Sequence, residues 1–546
     1  MNDQDDITRL SNNIPLDDFE PEITEIGEVD YIGDGICRIT GLPNARMEDI
    51  VRIEAKGEDV LGLILGLNEN YVETVILGDF SKISKGDVVS SAKKRIKIPS
   101  GEEVFGRVID PLGKAIDGNG ELKSRKMVQI ENPAPMVNER EQIVDQIRTG
   151  ILVVDSIIPV GKGQRELVIG DRKSGKTTLV QNIIINQKGK GIFCIYVSVL
   201  GKKAMLKGIY ETLLKEGCMD YTVIIAATSD DLPSMSYIAP YSGCAIAESL
   251  MKQGKDALVI YDDLSKHAKA YRQMSLLLKR SPGRDAYPGD IFYLHSRLLE
   301  RSAKLSKELG GGSSTAFPMA ETQSGDISEF ITTNLMSITD GHIYLDVNLM
   351  HEGILPAVDS GFSVSRIGGS IQTKLLRKLG EMASKSLQRY NEVKSFENIN
   401  TEISEETERE LKRGKRVLEI FNQPSSLNMS LAEEVLSLFI VCAGLYDDIE
   451  LIDVRKIKIE VINFLRHEDN VTLRDKLSSG DTSYDELEGE IKQMFSKEFL
   501  MSLLKSDEPV DSTNNKTEDI QNISEKTNNT DTSEPIKEEN KDEPNK

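Results

Sequence analysis

The sequence predicts a multidomain α/β protein with a small antiparallel β-barrel or sandwich first, a parallel-sheet domain in the middle and an α-helical domain last. Three observations carry this. Short apolar runs broken by turn residues roughly every 8–12 positions fill the first part. β-branched runs without polar alternation, joined by helical segments, fill the middle, as in a sheet buried on both faces. Apolar residues at three- and four-residue spacing fill the last part. A chain of 546 residues suits about three domains at the usual 100–200 residues each.

Residues 1–22 are polar and acidic, interrupted by Pro15 and Pro21, and read as a flexible arm. The barrel is assigned to 23–94, where runs such as Val60–Leu67 and Tyr71–Leu77 are separated by Gly57-Glu58-Asp59 and Asn68-Glu69-Asn70. Residues 95–370 are expected to form the parallel-sheet domain. Its expected strands are Glu166–Gly170, Ile192–Val199, Thr222–Ala227, Ala257–Tyr261 and His342–Leu345. Its expected helices are Thr177–Ile185, Ile238–Lys252, His267–Lys279 and Asp290–Ser306, and Gly310-Gly-Gly-Ser-Ser314 is expected to be a mobile loop. Residues 371–506 form the helical domain, with helices over Lys374–Lys394, Glu405–Phe421, Leu431–Leu445, Val454–Leu465 and Asp485–Lys505. The tail 507–546 has 12 acidic and 5 basic residues, four aliphatic residues and no aromatic one. Such a segment buries too little surface to offset its ordering entropy, which predicts disorder.

Asp and Glu number 89 against 67 Lys and Arg, a formal charge of -22. That balance excludes a generic nucleic-acid coat, which needs clustered cations. No run approaches the roughly 18 apolar residues of a membrane span, and the acidic N-terminus lacks a signal-peptide core. The five cysteines are scattered and odd in number, which points to reduced thiols in a cytoplasmic protein. Five histidines without metal-ligand spacing read as structural.

Gly170-Asp171-Arg172-Lys173-Ser174-Gly175-Lys176-Thr177 fits G-x4-G-K-[ST], preceded by a strand and followed by a helix. The glycines let consecutive amide N–H groups face a phosphate, and the helix adds the positive end of its dipole. Lys176 is assigned to the β and γ phosphates, the Thr177 hydroxyl to Mg2+, and Thr178 continues the site. Ala257-Leu-Val-Ile-Tyr-Asp262-Asp263 is an apolar strand ending in carboxylates, and Asp262 is assigned to Mg2+ through water because it directly ends the run. Hydrolysis also needs a residue that orients water, usually a carboxylate or Gln. The stretch after the next strand, Gly201-Lys202-Lys203, offers none. The site therefore reads as one that binds Mg-ATP or Mg-ADP and does not cut it.

These motifs resemble the alpha subunit of F-type ATP synthases. The resemblance is carried by Gly161-Lys-Gly-Gln-Arg-Glu-Leu-Val-Ile-Gly-Asp-Arg, Tyr261-Asp-Asp-Leu-Ser-Lys-His-Ala-Lys-Ala-Tyr-Arg-Gln, the run from Pro282 to Arg301, Glu321-Thr-Gln-Ser-Gly-Asp-Ile-Ser and Ser363-Val-Ser-Arg366-Ile-Gly-Gly. It covers about residues 23–505 and implies a β-barrel crown, a RecA-like P-loop domain and a helical C-terminal domain. It also implies three such chains alternating with three catalytic beta-type chains around a gamma-type central stalk, at the inner face of the cell membrane beside a membrane sector. In that arrangement Arg366 is an arginine finger reaching a neighbouring beta site, Gln423 lies by the nucleotide, and Asp447–Lys458 lies nearest the shaft.

The chain departs from the family pattern in several places. Lys173-Ser174 replaces a usual Gln-Thr, Leu355 stands for an Arg, Met350 for a Phe, and Ser425 for the second of two Gln residues. The acidic start and the added tail suggest an alternative, a specialised F-type-like ATPase paralogue driving mechanical work such as motility. A self-sufficient RecA-like hexameric motor and a non-enzymatic scaffold are further readings. The first is disfavoured by the missing carboxylate, the second by the intact Lys176, Thr177 and Asp262.

Overall fold

The computed structural model describes residues 25–91, 95–124, 126–394, 405–480 and 482–504. The acidic arm and the acidic tail therefore lie outside the described residues. Six strands come first: β1 (Glu25–Gly33), β2 (Ile36–Thr40), β3 (Ile50–Ala55), β4 (Glu58–Leu67), β5 (Val72–Ile76) and β6 (Val88–Ser91). They close in the order β1-β2-β5-β4-β3-β6, so of the two expected forms the barrel is the one adopted. Closure pairs every edge, and alternate residues such as Val51, Ile53 and Ala55 fill the interior.

The central domain is one eight-stranded sheet. Its strands are β7 (Val108–Ile109), β8 (Glu166–Asp171), β9 (Ile192–Gly201), β10 (Thr222–Thr228), β11 (Asp256–Asp262), β12 (Ser313–Thr322), β13 (Gly341–Leu345) and β14 (Val364–Ser365). The order is β14-β13-β8-β12-β11-β9-β10-β7. All neighbours are parallel except β14, which runs antiparallel along β13. Helices α1 (Lys176–Ile185) and α2 (Lys203–Lys215) cover one face, and α3 (Pro233–Met251), α4 (Leu264–Leu277) and α5 (Ile291–Leu299) cover the other. Burial on both faces is why these strands are apolar throughout.

Two expectations fail here. The loop expected over Gly310–Ser314 is shorter: Gly310–Gly312 form the turn, but Ser313 and Ser314 open β12, pair with Asp256 and Ala257, and are buried. Gly312 is needed because a Cβ there would stand 2.3 Å from the Met251 carbonyl oxygen. The helix expected over Asp290–Ser306 stops at Leu299. Beyond it the Arg301 guanidinium, 1% exposed, turns inward to grip Glu248 with two bonds of 2.7 Å and donates to the Ile130 carbonyl at 2.8 Å. A buried charge must be paired in this way, and that pairing sets the backbone off the helical path.

The last domain contains α6 (Lys374–Lys394), α7 (Glu405–Phe421), α8 (Leu431–Cys442), α9 (Leu451–Arg466), α10 (Val471–Ser478), α11 (Tyr484–Met494) and α12 (Lys497–Leu503). The single helix expected over Asp485–Lys505 is two, because Ser496 caps α12 by accepting from the Phe499 N–H. Its core is continuous with the α1 face of the sheet, and a buried pair, Arg148 to Glu434, crosses between them. Among the described residues no helix is long and apolar enough to cross a membrane.

Candidate functional site

β8 delivers the chain to the C-terminal edge of the sheet, and α1 takes it away. Between them the loop turns through left-handed conformations at Lys173 (φ 67°) and Gly175 (φ 94°). Gly175 carries no Cβ penalty there. Gly170 is required by space: a Cβ would meet the Ser174 hydroxyl at 2.6 Å and the Leu345 carbonyl at 2.8 Å. Asp171 holds the loop's base, accepting from the Thr322 hydroxyl at 2.6 Å and the Gly325 N–H at 2.9 Å. Arg172, Lys173 and Thr178 are exposed, and Thr177 is half-buried at the start of α1.

Lys176 is buried and folds back over its own loop, donating to the Gly170 and Asp171 carbonyls at 2.6 and 2.7 Å. Burial draws its pKa down, opposed by Asp263, Glu321, Asp262 and Asp171. The Ser174 hydroxyl is buried and has no partner among the described residues. A buried cation with only carbonyls to hold and an orphan hydroxyl beside it form a donor set that an anion satisfies. The residues therefore fit a phosphate group.

Asp262 ends β11 and accepts from the Tyr196 hydroxyl, with the Lys266 ammonium 3.7 Å away. Burial is the largest influence on its carboxyl and raises its pKa. Asp263 is the N-cap of α4, accepting from the Lys266 N–H at 2.7 Å, so the two neighbouring carboxylates are divided between site and cap.

Glu321 was missed by sequence reasoning. It lies beside Gly170 in the β8–β12 register, on the sheet face shared with Phe317 and Met319, and its carboxylate has no hydrogen bond or ion pair among the described residues. The signal was present, a carboxylate ending an apolar run, but the misread glycine loop hid the strand.

Gln423 does line a cavity of about 250 Å³ next to Ser174, Gly175 and Thr178. Its carboxamide, however, is taken up by backbone: it accepts from Leu152 N–H at 3.0 Å and donates to the Gly150 and Leu427 carbonyls. Arg366 stands elsewhere. It follows β14, whose Ser365 pairs with Gly341 at the start of β13, while Leu345 at the other end pairs with Gly170. At about 3.3 Å per strand residue, Arg366 is roughly 13 Å or more from its own phosphate loop. It is exposed and lines an open groove with Arg140, Arg165 and Asp340.

Three family models match the sequence: the beta-barrel domain of the ATP synthase alpha/beta family over residues 23–92, the nucleotide-binding domain of that family over 150–365, and the C-terminal domain of the ATP synthase alpha/beta chain over 372–498. An ATP synthase subunit alpha from Caldanaerobacter subterraneus subsp. tengcongensis is 47% identical over 456 residues, 84% of this chain and 90% of that protein. One from Streptococcus pyogenes serotype M5 is 45% identical over 441 residues, 80% of this chain and 87% of that protein. With barrel, phosphate loop and helical domain in the family's order and identity at this level over most of both lengths, the chain belongs to the ATP synthase alpha/beta family.

Proposed function

We propose that this chain is an alpha-type subunit of an F-type rotary ATPase, holding Mg-ATP or Mg-ADP without hydrolysing it and lending Arg366 to a neighbouring beta-type subunit. One observation carries the reading: Arg366 and the phosphate loop lie at opposite ends of the same sheet. An exposed guanidinium that cannot reach its own nucleotide is available to another subunit's. Its planar, permanently charged fork suits charge that develops on a phosphoryl group in transfer.

At the chain's own site a bound nucleotide would bring the phosphate charge and Mg2+ would supply a cation that neutralises part of it. Lys176 would release its two loop carbonyls to take the phosphates, Ser174 would gain the partner it lacks, and Thr177 with Asp262 would hold the ion. Gly201-Lys202-Lys203, at the end of β9, offers no group to activate water. The beta-type and gamma-type partners, the position at the inner face of the membrane and the coupling to a membrane sector follow from the kinship with ATP synthase alpha subunits.

The test is reconstitution with the beta-type partner. Arg366→Ala is expected to lower ATP turnover by about 10³–10⁵-fold while nucleotide stays bound to this chain. Unchanged turnover, or appreciable turnover by this chain alone, would falsify the assignment.

A further inference from the structure

The cavity beyond the phosphate loop is where a nucleotide's base would lie, and its chemistry is unusual in what it lacks. Its walls are apolar: Leu179, Leu345, Met350, Leu355 and Pro356 contribute. The Gln423 carboxamide in its wall is consumed by backbone, and that of Asn422, which does not line the cavity, is tied to backbone on both its oxygen and its nitrogen. Gln423 uses its oxygen and both amide hydrogens on Leu152, Gly150 and Leu427. Asn422 accepts from the Leu355 N–H at 3.2 Å and donates to the Gly353 carbonyl at 3.0 Å. What remains in the wall are the hydroxyls of Ser174 and Thr178 on the phosphate-loop side, the exposed Ser425 hydroxyl and the half-buried Asn182 carboxamide, none held by a side-chain partner among the described residues.

Telling adenine from guanine requires fixed polar groups. Adenine presents an amino donor where guanine presents a carbonyl acceptor, so only a donor or acceptor that cannot switch rejects the wrong one. A serine hydroxyl rotates to donate or accept, and an unheld carboxamide turns to offer either end. We infer that this pocket takes purine nucleotides by packing against the Met350 and Leu355 side chains and does not distinguish ATP from GTP. The inference rests on the nucleotide-binding reading above.

The full-length chain with Mg2+ is titrated with ATP, GTP and CTP by calorimetry. Dissociation constants for ATP and GTP are expected within about fivefold of each other, because no buried polar group is left unpaired by either base. CTP, whose smaller ring covers less apolar surface, is expected to bind more weakly. Met350→Ala and Leu355→Ala are each expected to weaken ATP and GTP by the same factor, roughly 3–10-fold. Ser425→Ala is expected to leave the ATP-to-GTP ratio unchanged. A preference for ATP above about 30-fold, or a wall variant that weakens only one purine, overturns the inference and leaves nucleotide binding standing. Failure of both purines to bind overturns the proposed function and this inference with it.

Discussion

The two ends of the central sheet differ in kind. At the C-terminal edge, Lys176, Asp262 and Ser174 are buried beside a pocket in this chain, the first two held by side-chain hydrogen bonds. At the N-terminal edge Arg366 is exposed, just after a two-residue strand anchored by the Ser365 hydroxyl donating to the Pro159 carbonyl at 2.7 Å. On the proposed function, one edge keeps a ligand and the other offers a charge. Parallel strands explain the first, since amide N–H groups and helix N-termini converge at their C-terminal ends. The second needs only a fixed platform at a border.

The contrast can be broken in steps. Arg366→Ala, with its expected loss of about 10³–10⁵ in the mixed assembly, tests the offering edge and should leave nucleotide retention alone. Lys176→Gln tests the keeping edge. Losing a charge-assisted contact to phosphate is expected to weaken nucleotide binding about 10–100-fold, read by calorimetry, with a smaller effect on turnover than Arg366→Ala. Equal effects of the two variants on turnover would erase the distinction.

Lys458 sharpens the comparison from the helical side. Burial lowers its pKa to about 7, and it donates to the Ile420 and Asn422 carbonyls beneath the base cavity. The unfolded chain regains an ordinary lysine pKa near 10.4, so between about pH 7 and 10 it binds up to about one proton more than the fold. Stability should therefore rise with pH across that window. Lys458→Met should flatten the slope, measured by urea unfolding at several pH values. The smallest effect concerns Glu321, the unpartnered carboxylate beside the loop. Glu321→Gln is expected to change nothing in ATP turnover by the isolated chain, which should be undetectable either way. Turnover in the native chain that this variant abolishes would make the site hydrolytic.

Much of the keeping edge was legible because it is local. Gly170 to Thr177 sit in one run whose spacing dictates the curl, and Asp262 ends the unbroken apolar run Ala257–Tyr261. β12 was not legible. Gly310–Gly312 form the turn just before it and draw the loop reading into Ser313 and Ser314, and Pro318, beside Tyr261, argues against a central strand because it lacks a ladder donor. With the strand went Glu321. The helix after Asp290 was overdrawn because periodicity cannot see Arg301 pairing with Glu248, 53 residues away. Gln423 was found through family resemblance, yet no sequence pattern reveals that its carboxamide closes on the backbone of Gly150 and Leu152.

β13 is five residues long and borders both edges: Leu345 lies beside Gly170, and Gly341 beside Ser365. A substitution that shifts this strand along the sheet would disturb the border of the phosphate loop and the platform under Arg366 at once.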